Sequence, residues 1–166
     1  MYGPTNSWQT VGVPVDSTVE AIDDALVRLV RHGMVPRTQA AIAQRSGVHV
    51  ERSTYALLRR IAERGPIRLS DVAADLGLDV STVSRQVTRL ADRGLVRRHA
   101  DPGDARAGQL GLTARGRDLL RRVRRGRHAW LADAIGDWSE ADRLRLAQLL
   151  DRLADALGST APTAAR

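Results

Sequence analysis

The chain has 166 residues, 43% of them apolar, and no cysteine. That composition belongs to a folded protein with its own core, and the lack of thiols excludes disulfides, cysteine nucleophiles, cysteine zinc sites and thiol redox sensing. Twenty-six basic residues, all arginine, against nineteen acidic ones give a net charge of +7, which permits a polyanionic partner without requiring one.

The start of the chain predicts an arm followed by a helix. Residues 1–16 carry Gly, Pro, Ser and Thr without an apolar period, which favours a flexible arm. Apolar residues then recur at helical spacing between positions 22 and 30. We expect Ser17 to cap this helix and Gly33 to end it.

Two further helices are expected before residue 66. The first follows Pro36 and ends at Gly47. The second runs from about Val50 to Gly65, where the Gly-Pro pair forces a break. Its apolar positions are Tyr55, Leu58 and Ile61.

The segment 69–94 predicts two short helices around a tight turn, the pattern of a helix-turn-helix. Ser70 is expected to cap the first helix and Gly77 to end it. Asp79 is expected to cap the second, which ends at Gly94. The apolar residues that should face inward are Val72, Ala73, Leu76, Val80, Val83, Val87 and Leu90.

A hairpin and two long helices complete the predicted chain. Leu95–Ala100 and Gln109–Leu112 indicate two strands joined by a loop rich in Gly, Asp and Pro. Thr113 should cap a long basic helix, and Ser139 should open the last one with Asp142 in a capping box. The last helix carries an apolar stripe, and residues 158–166 should form a flexible tail. The stripe consists of Leu146, Leu149, Leu150, Leu153 and Leu157.

The outward face of the second helix in the helix-turn-helix is suited to DNA. On a wheel of about 100° per residue, Ser81 and Arg85 lie opposite Val83. Thr88 and Asp92 share that face, flanked by Ser84 and Arg89. Short hydroxyls allow close approach to DNA, and an arginine can bond O6 and N7 of guanine together. Since Asp92 would repel phosphate, only the N-terminal half should enter a major groove.

A helical hairpin with a solvated outer face has the same pattern, so the helix-turn-helix alone is a weak signal. The predicted β-hairpin directly after it favours a winged helix, in which the hairpin (the wing) reaches the minor groove. The fold class is therefore mainly α with a small antiparallel β-wing. Ser70 and Ser84 are included with the DNA-binding candidates.

The stretch LSDVAADLGLDVSTVSRQVTRLADRGLVRRHADPGDARAGQLGLTARG resembles the winged-helix core of the MarR family of transcriptional regulators. Its most specific part is D-P-G-D-A-R, which matches the family's Asp-x-Arg wing signature at Asp104 and Arg106. The resemblance implies that Arg106 enters the minor groove and Asp104 helps to orient the wing. It also implies that Arg85, with Ser81, Thr82 and Ser84, reads the major groove.

The resemblance further implies a homodimer and a ligand. Residues 17–65 and 114–157 would form a helical dimerisation region, and 66–113 the DNA-binding lobe. From the residues alone, the apolar stripes of the terminal helices fit a dimer interface or a monomer core. Small aromatic or lipophilic effectors are typical of the family, and Tyr55 and Trp130 are candidate pocket residues that also fit ordinary core or interface positions.

Residues 113–127 hold seven arginines and one acid. This run fits either a solvated helix face or a helix whose first turns contact DNA phosphates. The four histidines do not lie at metal-ligand spacing, and motifs of nucleophilic, phosphate-binding or zinc enzymes are missing, so we expect no metal, no cofactor and no catalysis. The histidines are His32, His49, His99 and His128.

The sequence thus predicts a homodimeric, sequence-specific transcriptional regulator, a repressor that binds a pseudo-palindromic operator in double-stranded DNA. An effector-independent architectural DNA-binding protein and a protein–protein adaptor with a winged-helix fold are the alternatives. No apolar run approaches the ~20 residues of a membrane span, and the N-terminus lacks a basic segment followed by an apolar one. We therefore expect a cytoplasmic, nucleoid-associated protein.

Overall fold

Over the part of the chain that the computed structural model describes, residues 16–101 and 104–160, there are seven α-helices and one three-stranded sheet. For residues 34, 100, 101, 104–107 and 160 only the backbone is described. The chain divides into two units, residues 1–40 and 41–166. The expected flexible arm falls outside the described residues except for Asp16.

Along the chain, a helical segment is followed by a helix-turn-helix, a hairpin and two long helices, which confirms the predicted fold class. In chain order they are α1 (Ser17–Met34), α2 (Pro36–Ser46), α3 (Arg52–Arg64), β1 (Ile67–Arg68), α4 (Leu69–Leu76), α5 (Val80–Asp92), β2 (Val96–Asp101), β3 (Asp104–Leu112), α6 (Ala114–Ala134) and α7 (Glu140–Thr160). No described helix has the length and the apolar character needed to cross a bilayer.

The first unit is built on α1, whose N-terminal cap differs from the prediction. Asp16, and not Ser17, caps the helix, because its carboxylate accepts a hydrogen bond from the Thr18 N–H at 2.9 Å. At the other end, Thr38 donates to the His32 carbonyl at 2.9 Å and satisfies one of the last acceptors of α1. The apolar side chains of α1 are largely exposed, namely Val19, Ile22, Val27, Leu29 and Val30.

The second unit has one continuous hydrophobic core. It is formed by side chains of α3, the sheet, α4, α5 and the start of α6. Its fully buried large side chains are Leu57, Leu58, Ile61, Val72, Val83, Val87 and Leu110. Within this unit α5 packs against α4 and β2, and these contacts fix its position.

The helix-turn-helix forms where it was predicted, with two differences at its helix starts. α4 begins at Leu69 after Arg68, so Ser70 lies inside the first turn and does not cap it. Asp79 does precede α5, but only its backbone carbonyl takes part, accepting from the N–H groups of Thr82 and Val83. Gly77 ends α4 in the left-handed conformation at φ 62°, which glycine adopts without steric cost.

The sheet contains a strand that the sequence did not reveal. Its order is β1-β3-β2 and both pairings are antiparallel. β1 is only Ile67–Arg68, paired with Leu110 and Gln109 of β3, and two residues are too few to show an alternating pattern. β3 starts at Asp104, five residues before the predicted Gln109.

The predicted N-terminal caps of the last two helices are confirmed, although the Asp142 carboxylate accepts from the Ser139 hydroxyl and not from the backbone N–H that a capping box uses. Thr113 accepts a hydrogen bond from the Gly116 N–H at 3.0 Å and so caps α6. Ser139 accepts from the Asp142 N–H at 3.1 Å and donates to its carboxylate at 2.6 Å. α7 continues to Thr160, into the segment where the tail was expected.

Candidate nucleic-acid interface

The helix α5 is held by a buried apolar face. Val83 and Val87 are fully buried, and Leu90 is 3% exposed. The N–H of Leu78, in the turn before the helix, donates to the Ala73 carbonyl at 2.9 Å and ties α4 to that turn. These contacts leave α5 little freedom to rotate, so its outer face is set by its inner one.

The outer face of α5 is polar and accessible. Ser81 and Arg85 are exposed, and Thr82 and Ser84 are half-buried beside them. Arg85 Nη2 lies 3.4 Å from Thr82 Oγ1, a long contact that leaves the guanidinium available to a ligand. The structure therefore brings four of the predicted site residues together on one surface, which we call the α5 face.

Two other candidates lie outside these four residues. Arg89 is exposed and lines a cavity of about 540 Å³ between the start of α3 and the second half of α5. Ser70 is exposed in the first turn of α4, where its hydroxyl donates to the Asp71 carboxylate at 3.3 Å. Arg89 lies one helical turn after Arg85 on the same side of α5 and so borders the α5 face, whereas Ser70 lies on another helix.

The wing consists of β2, β3 and their connection. Asp104 and Arg106 lie in β3, but their side chains are outside the described residues, as are residues 102 and 103, where the turn was expected. The base of the wing is well anchored, because Thr113 Oγ1 donates to the Gly94 carbonyl at 2.7 Å. This bond links the end of α5 to the end of β3.

Close packing between the wing and α6 depends on Gly116. A Cβ placed on this residue would lie 2.0 Å from the Leu95 carbonyl oxygen, so a larger residue would force the backbone apart. The base of the wing is thus held close to the end of α5 and to the start of α6.

Several arginines of α6 bond to the protein itself. Arg117 donates to the Leu112 carbonyl at 2.8 Å, and Arg122 to the Gly47 carbonyl at 3.1 Å. Arg127 lies over the ring of Tyr55 at 5.0 Å, and Arg121 pairs with Asp118 at 3.0 Å. Much of the positive charge in this helix therefore supports its packing.

The candidate effector residues occupy different places. Tyr55 is half-buried and lines a cavity of about 300 Å³ between α3 and α6. Trp130 is also half-buried, but it is not among the residues that line this cavity. The remaining lining residues are Arg59, Ala62, Glu63, Leu120, Arg124 and His128.

Some relevant residues were not found from the sequence. Val80 was assigned to the buried stripe of α5, but it is 51% exposed because it stands in the first turn, beyond the packed part of the helix. Arg59, which lines the cavity beside Tyr55, was also missed. It follows Tyr55 by four residues, and this spacing places two side chains on the same side of a helix. Across the described residues, no group of three or more metal-ligating side chains is found.

Comparison with known proteins agrees with this geometry. The model of the MarR family matches residues 50–107. The chain is 34% identical over 105 residues to YxaD, an HTH-type transcriptional regulator of Bacillus subtilis. The matched segment covers 63% of this chain and 73% of YxaD.

Solved structures show the same fold over most of the chain. RV1404 from Mycobacterium tuberculosis is 30% identical, has a TM-score of 0.70 and covers 87% of this chain and 97% of its own. A MarR family protein from Bacillus stearothermophilus is 19% identical, has a TM-score of 0.73 and covers 87% of this chain and 99% of its own. This chain belongs to the MarR family of winged-helix, DNA-binding transcriptional regulators.

Proposed function

We propose that this protein is a homodimeric, sequence-specific repressor whose affinity for DNA is changed by a small-molecule ligand. The α5 face carries the proposal: Ser81 and Arg85 are exposed together while Val83 and Val87, on the other side of the helix, are fully buried. A helix fixed in this way presents hydroxyl and guanidinium groups to one partner surface. Repression follows because a dimer that covers its site excludes other proteins from that DNA.

In the proposed complex, the start of α5 enters the major groove. Arg85 bonds O6 and N7 of a guanine, while Ser81, Thr82 and Ser84 contact phosphates or base edges. Arg106 enters the adjacent minor groove, whose negative potential is strongest over A·T-rich DNA, and Asp104 limits the orientation of the wing. Arg89 and Ser70 would contact phosphates at the border of this surface.

Exposed apolar side chains on the terminal helices support the dimer. On α7, Leu149, Leu150 and Leu157 are 49%, 44% and 60% exposed, and α1 carries a similar row. Contiguous apolar surface of this kind marks an interface on a folded protein. A two-fold dimer would present two α5 faces and would require a pseudo-palindromic operator with half-sites about one helical turn apart.

The experiment that tests this proposal is the selection of bound sequences from a pool of random duplexes by the full-length protein. The expected result is one enriched pseudo-palindrome with half-sites about 10 base pairs apart. Equal affinity for unrelated duplexes at one fixed salt concentration would indicate architectural binding instead. Failure to bind any duplex at low salt would indicate an adaptor. Either of the last two results overturns the proposal.

The cavity beside Tyr55 supports the ligand part of the proposal. It has the volume of a small-molecule site, and it combines an aromatic ring with Arg124 and His128, while Arg59 is paired with Glu63 at 2.6 Å. This combination suits a small aromatic or lipophilic molecule that carries a carboxylate. A ligand here would change the spacing of the two α5 helices by shifting the population of dimer conformations.

Benzoate is a suitable first probe of this cavity. We expect it to release a labelled operator in a fluorescence anisotropy titration, and we expect the Arg124→Ala variant to require about tenfold more benzoate, as for the loss of one charge-assisted hydrogen bond. Acetate, which lacks the ring, is the matched control. If benzoate and acetate act alike, or if the variant responds as the wild type does, the cavity is not the effector site.

A further inference from the structure

Two apolar side chains stand exposed at the entrance to α5. Leu78 is 42% exposed and Val80 is 51% exposed. In the described part of residues 52–113, all other leucine, isoleucine and valine side chains are buried or half-buried. The other large apolar side chains found exposed lie on α1, near the end of α6, at Trp138 and on α7. The proposed dimer surface on the terminal helices therefore does not explain why Leu78 and Val80 are exposed.

Val80 lies at the border between the buried stripe of α5, about 60° from Val83 on the helical wheel, and the α5 face. It is the first residue of α5, directly before Ser81. On the helical wheel it lies about 40° from Ser84, one turn further along, so their side chains are neighbours. Val80 thus extends the α5 face at the end of the helix that is proposed to enter the groove.

The chemistry of valine restricts what this residue can contact in a groove. It cannot form side-chain hydrogen bonds, so it gains only by removing apolar surface from water. The C5 methyl of thymine is the apolar group that base pairs present in the major groove. A β-branched side chain is also stiff about χ1, so it loses little freedom when it is buried.

We propose that Val80 determines specificity by packing against the C5 methyl group of a thymine in each half-site. This inference rests on the proposed function, because it requires α5 to lie in the major groove. Leu78 precedes Asp79, outside the helix, and is the matched exposed apolar residue that should not read this methyl group.

The test removes the methyl group from the DNA and the side chain from the protein. Each thymine of the selected operator is replaced in turn by deoxyuridine, which lacks only the C5 methyl. Wild-type protein should bind about three- to fivefold more weakly at one position per half-site, as expected for one methyl group lost from an apolar contact. Val80→Ala should bind the thymine operator more weakly and lose this discrimination, while Leu78→Ala should retain it.

Val80→Thr keeps one methyl group and the shape of the side chain, so it should keep part of the discrimination. This variant also guards against a folding defect in Val80→Ala, which circular dichroism would reveal. The inference is overturned if Val80→Ala retains the full deoxyuridine effect, if Leu78→Ala abolishes it, or if no thymine responds in the wild type. Failure of the proposed function is a separate result: no operator is selected, or Arg85→Ala binds it as the wild type does.

Discussion

At the residue scale, Arg85 shows how the fold prepares a side chain for recognition. It is exposed, its only described hydrogen bond is the long one of 3.4 Å to Thr82, and the helix beneath it is anchored by fully buried valines. The protein therefore orders the backbone that carries the guanidinium and leaves its donors to the partner. An arginine held in this way can form two parallel hydrogen bonds to guanine.

Replacing Arg85 should separate base reading from charge. Arg85→Ala is expected to weaken binding to the selected operator by about 1–3 kcal/mol and to relax the preference at one base pair. Arg85→Lys keeps the charge but loses the bidentate geometry, so it should lose the preference and keep most of the affinity for unrelated DNA. Anisotropy titrations with the operator and a scrambled duplex, at one salt concentration, measure both effects.

The wing arginine provides the comparison for that measurement. If Arg106 lies in the minor groove, Arg106→Ala should weaken binding to both duplexes by similar factors, since it reads potential more than base identity. A base-specific loss for Arg106→Ala, together with an unspecific loss for Arg85→Ala, would contradict the proposed roles.

Two glycines within helices provide a test of packing. Gly116→Ala should lower the free energy of unfolding by about 1–3 kcal/mol or more, because its Cβ would meet the Leu95 backbone at 2.0 Å. Gly158→Ala has no atom within 4 Å of the added Cβ and lies in the last turn of α7, so it should change the free energy of unfolding by less than about 0.5 kcal/mol. Urea unfolding followed by circular dichroism measures both. Equal effects would show that the Gly116 contact does not restrict the fold.

At the element scale, α3 and α4 are joined by an ion pair beside the core. Arg60 Nε donates to the Asp75 carboxylate at 2.6 Å, and Arg64 lies 3.9 Å from the same oxygen. The hydrogen bond from Arg60, with the charges of Arg60 and Arg64, holds the pKa of Asp75 below its ordinary value. The side chains of Arg60 and Asp75 are 28% and 20% exposed, so solvent screens this pair only in part.

The pH dependence of folding should report this pair. Since the folded state lowers the pKa of Asp75, the pair stabilises at pH values above about 3.9 and this contribution is lost as the pH falls through the lower pKa of the folded state. At neutral pH, Asp75→Asn should reduce the free energy of unfolding by about 1 kcal/mol. Wild type and variant should converge in strongly acidic solution.

A double-mutant cycle with Arg60→Ala isolates the pair from other effects of the two substitutions. The double variant should be less destabilised than the sum of the single ones. Additive losses, or a difference between wild type and Asp75→Asn that stays constant down to low pH, would show that the ion pair does not couple α3 to α4.

The elements differ in how far the sequence predicted them. All seven helices were expected, because each has several apolar residues at helical spacing and a glycine, proline or cap at its ends. β1 was not, because Ile67 and Arg68 become a strand only through their bonds to β3. Ser17 and Ser70 were wrong as caps: Asp16, directly before Ser17, caps α1, and α4 begins one residue before Ser70, after an Arg68 that makes no side-chain cap bond.

At the scale of the whole molecule, α1 and α7 each carry a row of largely exposed apolar side chains. On α7, Leu146 and Leu153 are half-buried, while Leu149, Leu150 and Leu157 are largely exposed. A helix of 21 residues with such a stripe gains stability when a second surface covers it. The proposed dimer provides that surface.

A charge placed in this stripe should separate the protomers. Leu149→Glu is expected to convert the dimer to a monomer in sedimentation equilibrium and to weaken operator binding at least tenfold, because two half-sites would no longer be bound together. Gln148→Glu adds the same charge on the opposite side of α7 and should leave both properties unchanged. Dimers that persist in Leu149→Glu would place the interface elsewhere.

The sequence by itself determined the helices, the turn of the helix-turn-helix and the family, because periodicity, glycine positions and the wing motif are local properties of the chain. It also placed Ser81 and Arg85 on one outer face, since the buried stripe of a helix defines its opposite side. Only the tertiary structure decided that Val80 is exposed, that β1 joins the sheet, and that several arginines of α6 bond to the protein itself. Those outcomes depend on contacts between segments that are distant along the chain. A short stretch of sequence does not show which distant segment will pack against a given residue.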